Sequence, residues 1–108
     1  MPKKKILIVE DDRNISKLIV YNLQSEDYDT ACLYDGAHVV EFVRTNKPDL
    51  IILDLMLPEV DGLEICHTLK NDPVTKNIPI IMLTAKGESC VIDWINHIQK
   101  FPGMLTVT

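Results

Sequence analysis

Three short apolar runs constrain what this 108-residue chain can fold into. Ile6-Leu7-Ile8-Val9 stops at Glu10-Asp11-Asp12, Leu50-Ile51-Ile52-Leu53 stops at Asp54, and Ile78-Pro79-Ile80-Ile81-Met82-Leu83 stops at Thr84. Each run is continuous rather than alternating. A strand with one wet face alternates polar and apolar residues, whereas a strand covered on both faces does not. The runs therefore predict central strands of a parallel sheet with helices on both sides. Tyr28 to Leu33 is weaker and more polar, and is placed at a sheet edge.

Between the runs, apolar residues recur at helical spacing: Ile15, Leu18, Ile19 and Leu23, then Ala37, Val40 and Val43, then Leu63, Cys66 and Leu69, and last Val91, Trp94, Ile95 and Ile98. Asp12 or Asn14 is suited to cap the first helix. The second stripe ends before Asn46-Lys47-Pro48 and the third at Asn71-Asp72-Pro73, while Pro102-Gly103 closes the fourth. Strictly alternating strands and helices predict an α/β fold, a doubly wound parallel sheet with right-handed crossovers, in one domain spanning residues 1–108. Sheets of this kind bind ligands beyond the carboxyl ends of their strands.

Composition narrows the function classes. The net charge is −5 and the only basic run is Lys3 to Lys5, which argues against direct contact with nucleic acid. No apolar run is long enough to cross a membrane, and Ile6 to Val9 is too short for a signal-peptide core, so a cytoplasmic location is expected. Cys32, Cys66 and Cys90 form no CxxC pair and are read as small buried residues in a reducing compartment. His38, His67 and His97 share no spacing and are read as surface or helix-face residues.

The chemistry lies at the strand ends. In a parallel sheet, Glu10-Asp11-Asp12, Asp54 and Thr84 fall on one edge. Close carboxylates repel and call for a proton or a cation. An all-oxygen set suits magnesium, which commonly takes one or two carboxylates and keeps several waters. Such a site is equipped for phosphoryl transfer to a carboxylate, which gives an aspartyl phosphate. Asp54 stands alone at the end of a central strand and is the candidate nucleophile. Glu10 and Asp11 are the candidate ion holders, and Thr84 offers a hydroxyl to a phosphate oxygen. Taken singly, each residue has a plainer role: Asp12 and Asp61 as helix caps, Thr84 as a strand former. That all three central strands end this way favours the functional reading.

Three blocks then resemble one family. Ile6 to Asp12 (ILIVEDD), Ile51 to Gly62 (IILDLMLPEVDG) and Ile78 to Ala85 (IPIIMLTA) are similar to the opening, the phosphorylation segment and the fourth strand of response-regulator receiver domains. The resemblance implies a flavodoxin-like sheet of strand order 2-1-3-4-5. It implies that Asp54 accepts a phosphoryl group from the phosphohistidine of a sensor histidine kinase or phosphotransfer protein. It further implies that Glu10, Asp11, Asp54 and the backbone carbonyl of Met56 hold Mg2+, and that Thr84 follows the phosphate and shifts the adjoining face. Pro58 and Gly62 match the loop after the acceptor, where proline pre-sets a turn and glycine permits unusual backbone angles. The chain is thus expected to be a signalling module and not an enzyme. Two other readings stand beside it. One is a magnesium-dependent aspartyl-phosphate phosphohydrolase, disfavoured because Met56 stands where such enzymes carry a second aspartate. The other is a non-phosphorylated scaffold with the same fold.

The resemblance covers residues 1–88, and a divergent tail is expected over 89–108. The family continues with a fifth strand bearing an aromatic residue and a Lys-Pro pair, and then a fifth helix. Beyond Glu88 no Lys-Pro pair exists, and Lys100, the only lysine beyond Lys86, comes too early. Met104 to Thr108 is composed like a makeshift fifth strand, and the fifth helix is missing. Three expectations follow. An uncovered apolar patch beside the first and third strands promotes self-association, including segment-swapped dimers. Phosphorylation is weaker than in an intact receiver. With no DNA-binding effector segment in the sequence, the chain is a stand-alone receiver or a fragment of a longer regulator.

Overall fold

The computed structural model describes residues 3–54, 57 and 60–83. Four strands and three helices alternate: β1 (Lys5–Val9), α1 (Arg13–Ser25), β2 (Asp29–Leu33), α2 (Val39–Asn46), β3 (Leu50–Asp54), α3 (Gly62–Lys70) and β4 (Ile80–Leu83). Every pairing is parallel and the sheet order is β2-β1-β3-β4. This is the expected 2-1-3-4 order of a flavodoxin-like sheet, with β2 on the edge. The fourth helix, the makeshift fifth strand and the missing fifth helix concern residues 84–108, which lie outside the described residues.

Strand parity divides the core into two layers, because successive side chains of a strand point to opposite faces. Leu7, Val9, Ile51, Leu53, Ile80 and Met82 pack with Val39 and Val43 of α2, Leu57, and Ile65 and Leu69 of α3. Ile6, Ile8, Ile52 and Ile81 pack with Ile19 and Leu23 of α1. Both faces are dry, which is why the central strands read as unbroken apolar runs. Pro79 has no N–H to give, and β4 begins only at Ile80; the Pro79 carbonyl still accepts from the Ile51 N–H at 3.0 Å.

Helix starts follow their caps. The Asp12 side chain accepts from the N–H groups of Asn14 and Ile15 at 2.9 and 3.2 Å, so Asp12 and not Asn14 caps α1. Asp61 caps α3 through the Leu63 N–H at 2.9 Å. Two apolar stripes differ from the sequence reading. In α2 the buried residues are Val39 and Val43, while Ala37 is exposed and precedes the helix. The Asp35 carboxylate accepts the Ala37 N–H at 3.0 Å, and that local turn delays the helix start. In α3 the buried residues are Gly62, Ile65 and Leu69, whereas Leu63 is 52% exposed. Leu63 sits about 200° round the helix from Ile65 at 3.6 residues per turn. Gly62 opens α3 in ordinary helical backbone, so the unusual angles expected for it are not needed.

α2 ends in a left-handed residue, Lys47 (φ 47°, ψ 63°), whose N–H bonds to the Val43 carbonyl at 2.9 Å. A residue with a Cβ is strained there and glycine is not. K47G is expected to stabilise the protein by about 1 kcal/mol, seen as a higher urea midpoint with an unchanged m value. A lower midpoint would show that the Lys47 side chain contributes more than its backbone strain costs.

Candidate functional site

The register between β1 and β3 builds the site. Val9 pairs with Leu53, so the next residues, Glu10 and Asp54, emerge together at the carboxyl edge of the sheet. Glu10 prolongs the ladder, its N–H donating to the Leu33 carbonyl of β2 at 3.1 Å. Asp54 is the last residue of β3 and pairs with Leu83 of β4. Asp11 follows at the turn into α1. One carboxylate oxygen from each of Glu10, Asp11 and Asp54 lies within 4.8 Å of the other two. Glu10 and Asp54 are 0% exposed and Asp11 is half-buried.

Local hydrogen bonds give these acids separate duties. The Asp12 N–H donates to Glu10 Oε2 at 2.9 Å and orients that carboxylate. Asp12's own carboxylate turns away to cap α1 and is not part of the cluster. One residue of the acidic triplet thus supports the helix while the two before it face Asp54. Met56 and Thr84 lie outside the described residues, as does Pro58. Leu83, which precedes Thr84, is the residue paired with Asp54.

At about 5 Å, two carboxylates repel by roughly 3 kcal/mol for an effective dielectric near 20. Here three carboxyl groups meet at one spot, two of them fully buried. Their donors are all oxygen, which matches a hard divalent cation and excludes a soft one. His38, exposed and 3.7 Å from Asp35, and His67, also exposed, stand outside the cluster. Cys32 and Cys66 are half-buried thiols; Cys90 and His97 are outside the described residues. One contact beside the acidic turn was not foreseen: the Arg13 guanidinium stacks on the Tyr34 ring, 3.9 Å from its centroid. It joins the start of α1 to the segment after β2. No periodicity or spacing marks such a pair in a sequence.

With this geometry in place, comparison with known proteins decides the family. The sequence model of the response regulator receiver domain matches residues 6–97. The chain belongs to that family. The match takes in residues 89–97, the first part of the stretch expected to diverge. Among curated relatives, the receiver is 46% identical over 85 residues to the alkaline phosphatase synthesis transcriptional regulatory protein PhoP of Bacillus subtilis, covering 79% of this chain and 35% of that protein. The receiver thus spans about a third of the length of the curated relatives it matches. Among solved structures, it superposes on the N-terminal domain of a response regulator receiver protein from Methanoculleus marisnigri with a TM-score of 0.73 at 28% identity, covering 95% of this chain and 81% of that one. It superposes on the Mn(2+)-bound form of response regulator Rcp1 with a TM-score of 0.78 at 26% identity, covering 91% and 93%. No helix among the described residues is long and apolar enough to cross a membrane.

The separation of duties at the acidic triplet is testable. D12A removes a helix cap and is expected to destabilise the receiver by about 1 kcal/mol in urea unfolding, while the response to divalent cations persists. Loss of the cation response in a folded D12A protein would place Asp12 in the cluster after all.

Proposed function

We propose that this receiver domain takes a phosphoryl group onto Asp54 from the phosphohistidine of a sensor histidine kinase or phosphotransfer protein, at a site that binds Mg2+. The observation that carries this reading is the meeting of Glu10, Asp11 and Asp54 at one sheet edge, with ligand atoms within 4.8 Å. Those three carboxylates and the Met56 backbone carbonyl are the ligands we assign. The Mn(2+)-bound form of Rcp1, similar in fold and sequence, supports a divalent ion here. When bound, the ion offsets the charge on the phosphoryl oxygens.

The chain's own residues do the rest. An Asp54 carboxylate oxygen attacks phosphorus in line, a P–O bond forms, and the P–N bond to the donor imidazole breaks as the imidazole leaves with a proton. β3 holds Asp54 rigidly between β1 and β4, so the nucleophile is already oriented. The Asp12 N–H keeps Glu10 aimed into the site. Burial of Asp54 limits water beside the acyl phosphate. Thr84 is assigned the phosphate contact that relays the new charge to a protein-binding surface. The role is that of a phosphoacceptor in signalling and not of a turnover enzyme. The domain is read as one unit over residues 1–108. PhoP is a transcriptional regulator by name, but this chain matches only 35% of its length, and the acidic receiver itself is read as making no nucleic-acid contact.

Incubation with acetyl phosphate and MgCl2, followed by intact-mass measurement, is expected to add one phosphoryl group to the parent protein and none to D54N or to an EDTA-treated sample. Labelling of D54N to the same extent would move the acceptor elsewhere. Mg2+ alone is expected to stabilise the parent by about 1.4 kcal/mol at ten times its Kd. D11N and D54N should lose most of that gain in thermal unfolding; an equal gain in both variants would remove the acidic cluster as the ion site.

A further inference from the structure

We propose that Arg13 recognises the phosphoryl donor: its guanidinium, held on the Tyr34 ring, meets the anionic phosphoryl group as it approaches Asp54. The inference rests on Asp54 being the phosphoacceptor.

Both partners stand at the edge of the sheet that carries the acids. Arg13 opens α1 two residues after Asp11, one of the three clustered carboxylates. Tyr34 follows Leu33, whose carbonyl accepts the Glu10 N–H at 3.1 Å. The stack, 3.9 Å from the guanidinium carbon to the ring centroid, therefore joins the turns that follow β1 and β2. Both residues are exposed, so a ligand arriving from solvent can reach them.

The charge around the pair gives it a use. From the ends of β1, β2 and β3 to the first residue of the next helix, the described residues include Glu10, Asp11, Asp12, Asp35 and Asp61, and Arg13 is the only lysine or arginine among them. A donor bearing negative charge is repelled by such an edge. Arg13 offsets that repulsion only if its own charge is not already taken. Although two aspartates directly precede it, Arg13 forms no ion pair among the described residues; a ring face holds it instead. A cation–π contact fixes the group without pairing its charge with a carboxylate. The planar N–H fork matches phosphate oxygens two at a time, which a lysine ammonium does not. The same charge acts with opposite sign on the two ligands of the site: it attracts the donor and repels Mg2+.

The test uses the full chain, acetyl phosphate at low concentration in saturating MgCl2, and circular dichroism to show each variant folded. R13A is expected to label about threefold more slowly, the size of a solvent-screened charge contact, with the deficit shrinking in high salt. R13K keeps the charge but loses the fork, and should recover part of the rate. Y34A releases the guanidinium and should fall between the parent and R13A; the conservative Y34F, which keeps the ring, should recover the rate lost in Y34A. Mg2+ alone, followed by thermal unfolding, should bind R13A more tightly than the parent, because a cation beside the acids is gone. A role confined to holding α1 against the turn after β2 would instead weaken both ligands together. Should R13A not fold, R13Q carries the same test. A parent-like labelling rate in R13A, a deficit untouched by salt, or weaker Mg2+ binding would overturn the inference, as would a parent-like rate in Y34A. An unlabelled parent would instead overturn the phosphoacceptor reading, and the inference with it.

Discussion

Like charge gathered at the edge of a sheet is the constraint on which this structure turns. Parallel pairing of β1 with β3 in the Val9–Leu53 register leaves no freedom in where Glu10 and Asp54 emerge. Strands so paired are among the most rigid parts of a protein, so the two acids cannot drift apart to relieve their repulsion. Both are fully buried, and water does little to screen them. A site of this kind is preorganised for positive charge. It also couples cation binding to stability, because whatever offsets the repulsion in the folded chain favours the fold.

The rest of the fold follows from keeping those strands dry on both faces. α1 covers one layer, and α2 with α3 covers the other. In this all-parallel order the helices begin at the edge where the strands end, which is the edge that carries the acids. Asp12 shows the economy of this arrangement: its side chain starts α1 while its backbone N–H aims Glu10. Helix stability and ligand geometry are supported from one residue by two different groups.

What could be read from the residues alone divides along physical lines. The strands were legible because burial on both faces leaves continuous apolar runs, and the edge position of β2 was legible because Asp29 and Thr30 dilute it. Glu10, Asp11 and Asp54 were legible because strand ends in a parallel sheet share an edge. The helix faces were less so. Ala37 was placed in the α2 stripe because periodicity is blind to the Asp35 turn that holds it out. Leu63 was placed inward because i, i+3 spacing fits two neighbouring faces of α3, and only packing of Ile65 and Leu69 on the sheet selects one. The left-handed Lys47 has no side-chain signature. The Arg13–Tyr34 stack and the Gly36–Val60 contact join residues that topology alone brings together.

Phosphorylation on this reading adds close to two negative charges at a place already holding three carboxylates. Glu10 and Asp54 are buried and held at strand ends, so the added charge cannot be met by moving either aside. Adjustment must come from elements next to Asp54 that are held less completely. β1 and β3 are each paired on both sides and lie in the middle of the sheet; β4 is bonded to β3 through the Asp54–Leu83 pair. Val60, two residues before α3, closely approaches Gly36 of the β2–α2 loop. An electrostatic change that the centre of the sheet cannot absorb must therefore be met outside β1 and β3, a consequence of the same rigidity that assembled the acids.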